Sequence, residues 1–357
     1  MYTTKKLINC HIELSNYCNA ACAMCGRHRI NGKTNVMTIR EDVDTDQLSV
    51  TQIKKIFDTK FFETFDLGVI NMCGNRGDPI TTKHLLEICA YIQEVSPNTK
   101  IKMATNGGLR TPKYWAKIGE VFAKAAKGSS VTFGLDGLED TNHIYRQRVK
   151  WKKCMENSQA FIDAGGDAKW QYLIFKHNEH QLDEAYDLSV KMGFSKFVTI
   201  HTPRFAFKEG STGSKPFTYK GKNWLLETAD PKFADRKEAR NFIASDRAEE
   251  IDCKANRNNE FYIDCRGRVI PCCWLGGSLD HTLSTGKLRD RIIDFYDVDE
   301  MSAIQNDLTD ILLKSQFINE VIPMSWDNLG KDCAAPSCKT FCSKKHNLRK
   351  ETVEYTK

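Results

Sequence analysis

From Leu7 to about His201, short apolar runs alternate with longer stretches whose apolar residues recur every three or four positions. The runs Leu7–Leu14, Asp66–Met72, Lys100–Thr105, Ser130–Leu135, Trp170–Phe175 and Lys196–His201 have the length and composition of strands buried in a sheet. Between them Ser49–Thr59, Thr82–Val95, Pro112–Ala126, Trp151–Ala164 and Glu179–Met192 read as helices. In the last of these, Leu182, Ala185, Tyr186, Leu188 and Val190 keep roughly helical spacing. Asn178 stands where a cap belongs, and Gly193 where a left-handed residue ends a helix. Strands alternating with helices predict an α/β fold built on a parallel sheet. Whether that sheet is open or closed into a barrel depends on strand pairing, which periodicity does not reveal. In both arrangements ligands gather beyond the C-terminal ends of the strands.

That edge is where the polar and glycine residues collect. Cys18–Cys25 follows the first strand, Gly74–Pro79 the second, Asn106-Gly107-Gly108 the third, Asp136-Gly137 the fourth and Asn178 the fifth. The alternation ends at 205. Residues 206–250 mix Gly, Lys, Pro and aromatics and read as a connector, with a helix near Lys232–Ala248. A second cysteine-rich region spans 251–346, and the polar tail 347–357 is expected to fray.

The chain has 357 residues, of which 41% are hydrophobic and 27% charged, enough for a large domain and a smaller one. Its net charge of +6 arises from 52 basic and 46 acidic residues, so the case for a nucleic-acid partner is weak. No apolar run approaches the ~20 residues of a membrane span. The start, Met1–Lys6, reaches a strand too soon for a signal peptide, which points to a soluble cytoplasmic protein. Fourteen cysteines change this picture. In a large chain without a signal, clustered cysteines serve metals or catalysis more often than disulfides.

Cys18, Cys22 and Cys25 are spaced C-x₃-C-x₂-C. Three thiolates hold three irons of a [4Fe–4S] cube and leave the fourth iron open to another ligand. Two spaced cysteine pairs point instead to a closed structural zinc site. His28, three residues past Cys25, is a possible fourth ligand should the metal be zinc.

This triplet is joined by Gly74-Asn75-Arg76-Gly77-Asp78-Pro79, by Thr105-Asn106-Gly107, and by Leu135-Asp136-Gly137 with His143 and Arg146 behind it. In that order the motifs resemble those of radical S-adenosylmethionine (SAM) enzymes, over residues 7 to about 201. The resemblance implies a partial (β/α)₆ TIM-like barrel, with Cys18, Cys22 and Cys25 on three irons and SAM chelating the fourth. It further implies that an electron from an external flavodoxin- or ferredoxin-type donor cleaves SAM to methionine and a 5′-deoxyadenosyl radical, which takes a hydrogen from the substrate. The protein's part is then positioning and exclusion of water. By the same resemblance Gly77 and Asp78 meet the SAM amino group, Asn106 lines the pocket, and Arg146, behind Asp136, pairs the SAM carboxylate. Met24 takes the place of an adenine-contacting aromatic, and Asn178 belongs to the pocket or caps its helix. The family loop reads Gly-Gly-Glu-Pro; here Arg76 replaces its first glycine and Asp78 is one methylene shorter than Glu.

The second region contains Cys253-x₁₃-Gly267-x₄-Cys272 and Cys333-x₄-Cys338-x₃-Cys342. It resembles the small α+β auxiliary-cluster domains called SPASM or twitch. Phe261–Cys273 reads as a β-hairpin turning at Gly267. Seven thiols fall short of the eight that two cubes need, which implies one auxiliary [4Fe–4S] cluster. Its expected ligands are Cys253, Cys272, Cys338 and Cys342, with Cys265, Cys273 and Cys333 as rivals. Adjacent Cys272 and Cys273 point to opposite sides if extended, and structural zinc is the alternative metal. Cys10, Cys73, Cys89 and Cys154 read as small buried hydrophobes.

For the substrate, a peptide, a small metabolite and a nucleotide-type molecule all stay open. The short stretch before Cys18 leaves no room for a leader-binding domain, which weighs against a peptide. The reading from another class is a zinc-organised nucleic-acid-binding protein using Lys254, Arg257, Arg266, Arg268, Lys344 and Lys345. The same basic residues also offset the negative charge of an iron–sulfur cluster. No side chain stands out as a second hydrogen donor or base.

Overall fold

The computed structural model describes residues 1–2, 6–43, 45–205, 213–233, 250–285, 291–327, 336–343 and 351–356. Six strands lie parallel and in sequence order: β1 (Leu7–Ile12), β2 (Asp66–Met72), β3 (Lys100–Thr105), β4 (Ser130–Gly134), β5 (Ala168–Ile174) and β6 (Lys196–His201). The helices between them are α1 (Val50–Ile56), α2 (Leu85–Val95), α3 (Pro112–Lys124), α4 (Trp151–Asp163) and α5 (Leu182–Met192). All six strands and five helices fall within a few residues of the expected positions.

Local chemistry explains where the boundaries moved. The helix expected over Ser49–Thr59 starts with a capping box between Ser49 and Gln52 but ends at Ile56. Asp58 then accepts from the Phe61 amide and caps a new helix, Thr59–Thr64. Gly193 ends α5 in the left-handed conformation, at φ 87°. Asn178, however, does not cap this helix. A 3₁₀ turn, Glu179–Gln181, intervenes, and the Asn178 side chain turns into the end of the sheet. Val190, read as part of the apolar face, is 59% exposed.

The two faces of the sheet differ in kind. Phe133 packs on Trp115 and Phe161, Trp170 on Trp151 and Phe194, and Phe197 on Tyr186, so these strand residues face the helices. Side chains alternate along a strand. His11, Glu13, Asn71, Cys73, Lys102, Thr132 and Gln171 therefore line the other face, with Val69, Leu173 and Ile200 among them, and that face is the more polar of the two. A doubly wound sheet covers both faces with helices and reads apolar on both. A polar inner face with helices outside is the arrangement of a partial barrel, and β1 and β6 do not pair to close it.

The second cysteine region extends this sheet. β7 (Glu260–Ile263) pairs in parallel with β1, from Asn9↔Glu260 to Ile12↔Ile263, and β8 (Val269–Ile270) returns antiparallel to β7. This is the expected hairpin, with Gly267 at φ 79° in the turn. A helix, α6 (Cys273–Thr285), follows at once.

At the opposite edge the expectation of a frayed tail needs correction: β9 (Glu351–Glu354) runs antiparallel to β6, and Glu354 meets Lys196 at 2.6 Å. A short charged strand suits a sheet edge, where one side stays in water. The connector also holds an unexpected hairpin, Ser214–Tyr219 with Lys222–Glu227. Its two-residue turn places both Lys220 and Gly221 at positive φ, the geometry of a type I′ turn. Most of the helix expected at Lys232–Ala248 lies outside the described residues. Among those described, no helix is long and apolar enough to cross a membrane.

Candidate functional site

The loop after β1 carries Cys18, Cys22 and Cys25, and it is folded so that backbone amides approach the sulfurs. Ala20 N lies 3.4 Å from Cys18 Sγ and Arg27 N 3.5 Å from Cys25 Sγ. Burial, Asp78 and then the neighbouring Cys22 and Cys25 push the Cys18 thiol up. Burial also pushes Cys22 up to about 12, with Cys25 and Asp136 adding to it and Arg146 and Arg204 opposing. Cys18 and Cys22 both feel the Cys25 sulfur, so the three are close enough to share one positive centre, and a bound cation reverses the penalty on Cys18 and Cys22. Among the described residues no three His, Cys, Asp or Glu side chains converge as a single metal ion requires. A cube asks less, because each thiolate takes a different iron. The donor set fits such a cluster.

The loop after β2 is pressed against this one, backbone to backbone. A Cβ on Gly77 would overlap the Ser15 carbonyl oxygen, and one on Gly74 would stand 2.6 Å from Glu13 Oε1. Asp78 N donates to Tyr17 O at 2.8 Å. Gly77→Ala is accordingly expected to cost about 2–3 kcal/mol through overpacking against main chain that cannot yield. A lowered urea midpoint measures this cost, and an unchanged midpoint contradicts the close approach.

The Asp78 carboxylate is buried, and both oxygens already accept hydrogen bonds. Oδ1 accepts from Ile80 N at 3.1 Å; Oδ2 accepts from Asn106 N at 2.8 Å and Asn106 Nδ2 at 2.6 Å. Asn106 Nδ2 also lies 2.9 Å from Asn19 Oδ1 and 3.7 Å from Cys18 Sγ. Asp78 thus fastens the start of the β3 loop to the cysteine loop, and its carboxylate is committed to Asn106 and Ile80 instead of standing unpaired toward a ligand. Burial pushes this carboxyl up while the amide donors pull it back.

Glu13 escaped the sequence reading because it sits inside the apolar run Leu7–Leu14, directly after β1. It is 3% exposed. Oε1 accepts from the amides of Arg76 and Gly77, both at 2.8 Å, and Oε2 accepts from the Tyr262 hydroxyl at 2.7 Å. One carboxylate therefore ties β1, the Gly74–Pro79 loop and β7. The available signal was parity: a charged residue in an apolar strand belongs on the polar face.

Across the barrel mouth, Asp136 is fully buried. Its Oδ1 accepts from Leu173 N at 2.7 Å and its Oδ2 from Arg146 Nε at 2.6 Å. Arg146 pairs by backbone with Cys22 in a short antiparallel bridge. A Cβ on Gly134 would collide with the guanidinium, so this glycine makes room for it. Burial disfavours the charge, but Asp136 and Cys22 outweigh it and hold Arg146 protonated. Asn178 donates to Asp136 O at 3.0 Å and Leu173 O at 2.9 Å, stitching the β4 and β5 loops together. His143 lies edge-on to Trp224 of the unexpected hairpin, with 5.6 Å between ring centroids. Arg204, a second cation that the sequence did not single out, donates to Met24 O at 2.8 Å and to the Tyr145 hydroxyl at 3.3 Å. His28 bonds the Cys22 backbone, and burial with nearby Arg27 lowers its imidazole to about 4. Cys154 donates to Asn106 O at 3.3 Å, and Cys10, Cys89 and Cys154 are buried as expected. Cys73 is half-buried instead, on the inner face.

The second group forms around the hairpin and α6. Cys253, Cys272, Cys338 and Cys342 line one cavity with Cys273 and Trp326. Contact with Cys342, then burial, pushes the Cys253 thiol up. Cys272 precedes α6, and burial raises it while the Trp274 and Leu275 amides at the helix start favour its thiolate. Cys273 is raised to about 12 by burial and then by Cys73. The two adjacent thiols thus have different neighbours. Cys265 is buried beside the hairpin turn, and Cys333 lies outside the described residues. Of the basic residues considered for nucleic acid, Arg257 pairs with Asp252, Arg266 with Asp46, and Arg268 with Asp264 and Asp280. Lys344 and Lys345 lie outside the described residues.

A model described as the radical SAM superfamily matches residues 12–189. No curated protein matches the chain. Among solved structures, Streptococcus suis SuiB bound to S-adenosylmethionine is similar at TM-score 0.54 and 14% identity, over 87% of this chain and 66% of that one. The chain thus spans just under two-thirds of SuiB. Native anSMEcpe with bound AdoMet and the Cp18Cys peptide is similar at TM-score 0.54 and 14% identity, over 96% of this chain and 92% of that one. At this identity the likeness is one of fold.

Proposed function

Residues 12–189 belong to the radical SAM superfamily, and on that premise we propose an enzyme that binds SAM at a [4Fe–4S] cluster held by Cys18, Cys22 and Cys25. The observation that carries this is the cysteine loop itself: three thiols at the C-terminal end of β1, fastened by Asp78–Asn106, with half-buried Arg146 beside Cys22. Bound there, cluster and SAM together supply reductive cleavage to a 5′-deoxyadenosyl radical. The chain's own residues do the rest. Arg146, oriented by Asp136, offers a fixed cation at the barrel mouth for a SAM carboxylate. Gly77 offers backbone, Met24 a polarizable contact for adenine, and Asn106 and Asn178 brace the pocket wall. The polar inner face, with Asn71, Thr132 and Gln171, receives a polar substrate, either a small metabolite or a peptide. Cys253, Cys272, Cys338 and Cys342 hold a second cluster, and a flavodoxin- or ferredoxin-type protein delivers electrons.

Anaerobic reconstitution with iron and sulfide, followed by SAM and dithionite, tests the reading. About eight iron and eight sulfide per chain are expected for two cubes, with formation of 5′-deoxyadenosine. Cys253→Ala should remove about half of the iron while SAM cleavage partly survives; full retention of iron contradicts the second cluster. A colourless, zinc-replete protein contradicts the enzyme reading.

A further inference from the structure

The family loop has a glycine where this chain has Arg76. The backbone at this position still serves the loop, since Arg76 N donates to Glu13. The side chain leaves the mouth and enters a buried network of ion pairs. Arg76 Nη1 lies 2.7 Å from Asp42 and Nε 3.4 Å from Asp280; Asp280 also accepts from Arg268 Nη2 at 2.6 Å. Arg268 Nε reaches Asp264 at 2.6 Å, in the turn between β7 and β8. These side chains are 6–13% exposed. Arg40 and Arg76 hold the Asp42 carboxyl below its usual range against the cost of burial. The preceding residue grips the same helix: Asn75 Nδ2 donates to Cys273 O at 2.8 Å. Consecutive loop residues therefore hold α6 at its first residue and again about two turns on. Cys272 and Cys273, at the head of that helix, line the second cavity. From the same loop, Asp78 holds Asn106 and the first cysteine loop.

We infer that Arg76 is a positioning residue that locks α6, and with it the second cysteine group, onto the SAM-binding loop, so that SAM affinity depends on the Arg76–Asp280 link. This rests on the function proposed above. A buried ion pair contributes little net stability but is costly to break from one side, which makes it suited to fixing one arrangement. Lysine is no substitute, because a point charge cannot divide itself between Asp42 and Asp280 as a guanidinium does.

Equilibrium dialysis of radiolabelled SAM against reconstituted wild type, Asp280→Asn, Arg76→Met and the double variant tests this. Asp280→Asn leaves Arg76 with Asp42 and Arg268 with Asp264, so it is the variant that keeps its fold. SAM binding is expected to weaken about tenfold in Asp280→Asn, within the ~5–150-fold span of coupled sites. In the double variant the losses should fall short of the sum, because both changes cut the Arg76–Asp280 link while each also removes a separate partner, Asp42 from Arg76 and Arg268 from Asp280. Iron content should stay at the wild-type level. Wild-type SAM affinity in Asp280→Asn, or additive losses in the double variant, overturns the inference alone. A wild-type protein with full iron and no SAM binding overturns the functional reading and the inference with it.

Discussion

Cys22→Ala is expected to abolish reductive cleavage of SAM, with 5′-deoxyadenosine falling to the level of a protein-free control. Cys22 is the most buried of the three loop cysteines, and it faces Arg146 across the short bridge between Ala21-Cys22 and Arg146-Gln147. Removing its thiolate leaves two ligands for a cube that needs three from the protein. It also takes from the Arg146 guanidinium the charge that, after Asp136, most favours it, with the Asp136 pair left in place. The loss should therefore be one of iron as well as of turnover, with the second cysteine group still loaded. Iron content and 5′-deoxyadenosine, measured on the same sample, check this. Undiminished 5′-deoxyadenosine in Cys22→Ala contradicts the assignment of the first triplet.

The second large effect falls on Glu13. Glu13→Ala strands the amides of Arg76 and Gly77 and the Tyr262 hydroxyl in a buried site. Each orphaned donor costs about 1–3 kcal/mol, so a loss of roughly 3–9 kcal/mol is expected and SAM binding should go with it. Glu13→Gln keeps an acceptor for both amides, and the Tyr262 hydroxyl can turn to accept from the new amide, so most of the stability should return. The two variants also differ in pH response. Burial holds the Glu13 carboxyl above its usual range, so the native state binds its proton more tightly than the unfolded chain. This contribution is complete below the unfolded value and is lost as pH rises through the folded one. Wild type should therefore gain stability relative to Glu13→Gln on acidification through that window, seen as a pH-dependent difference in urea midpoints. A pH-independent difference contradicts the buried carboxyl.

The βα alternation was legible because each strand and helix announces itself locally, through composition, caps and period. The pairing of β7 with β1 was not, since two short parallel strands far apart in sequence carry no local mark of their partnership. Glu13 was hidden for a related reason: within Leu7–Leu14 it looks like an interruption of an apolar run, and only Tyr262, brought over by β7, explains it. Arg204 lies just past β6 and acts on Met24, a residue of the first loop, through a contact visible only in three dimensions. Lys220-Gly221 is a weaker turn signal than the asparagine–glycine pairs that mark such hairpins. Strand order puts Asp78 and Asn178 beyond the ends of their strands, and the structure has both buried there. Their partners, however, make them braces of the wall, each committed to main chain from a neighbouring strand loop. The departure at Arg76 looked like a defect in a motif and proves to be the root of an ion-pair network.

The most direct test of the central claim isolates the first cluster. Cys253→Ala/Cys272→Ala protein, reconstituted and reduced without oxygen, is examined by electron paramagnetic resonance before and after addition of SAM. A cube held by Cys18, Cys22 and Cys25 has one iron left for an outside ligand. The account predicts a cluster signal whose g-values shift when SAM is added. No cluster signal, or a signal that SAM leaves unchanged, contradicts it.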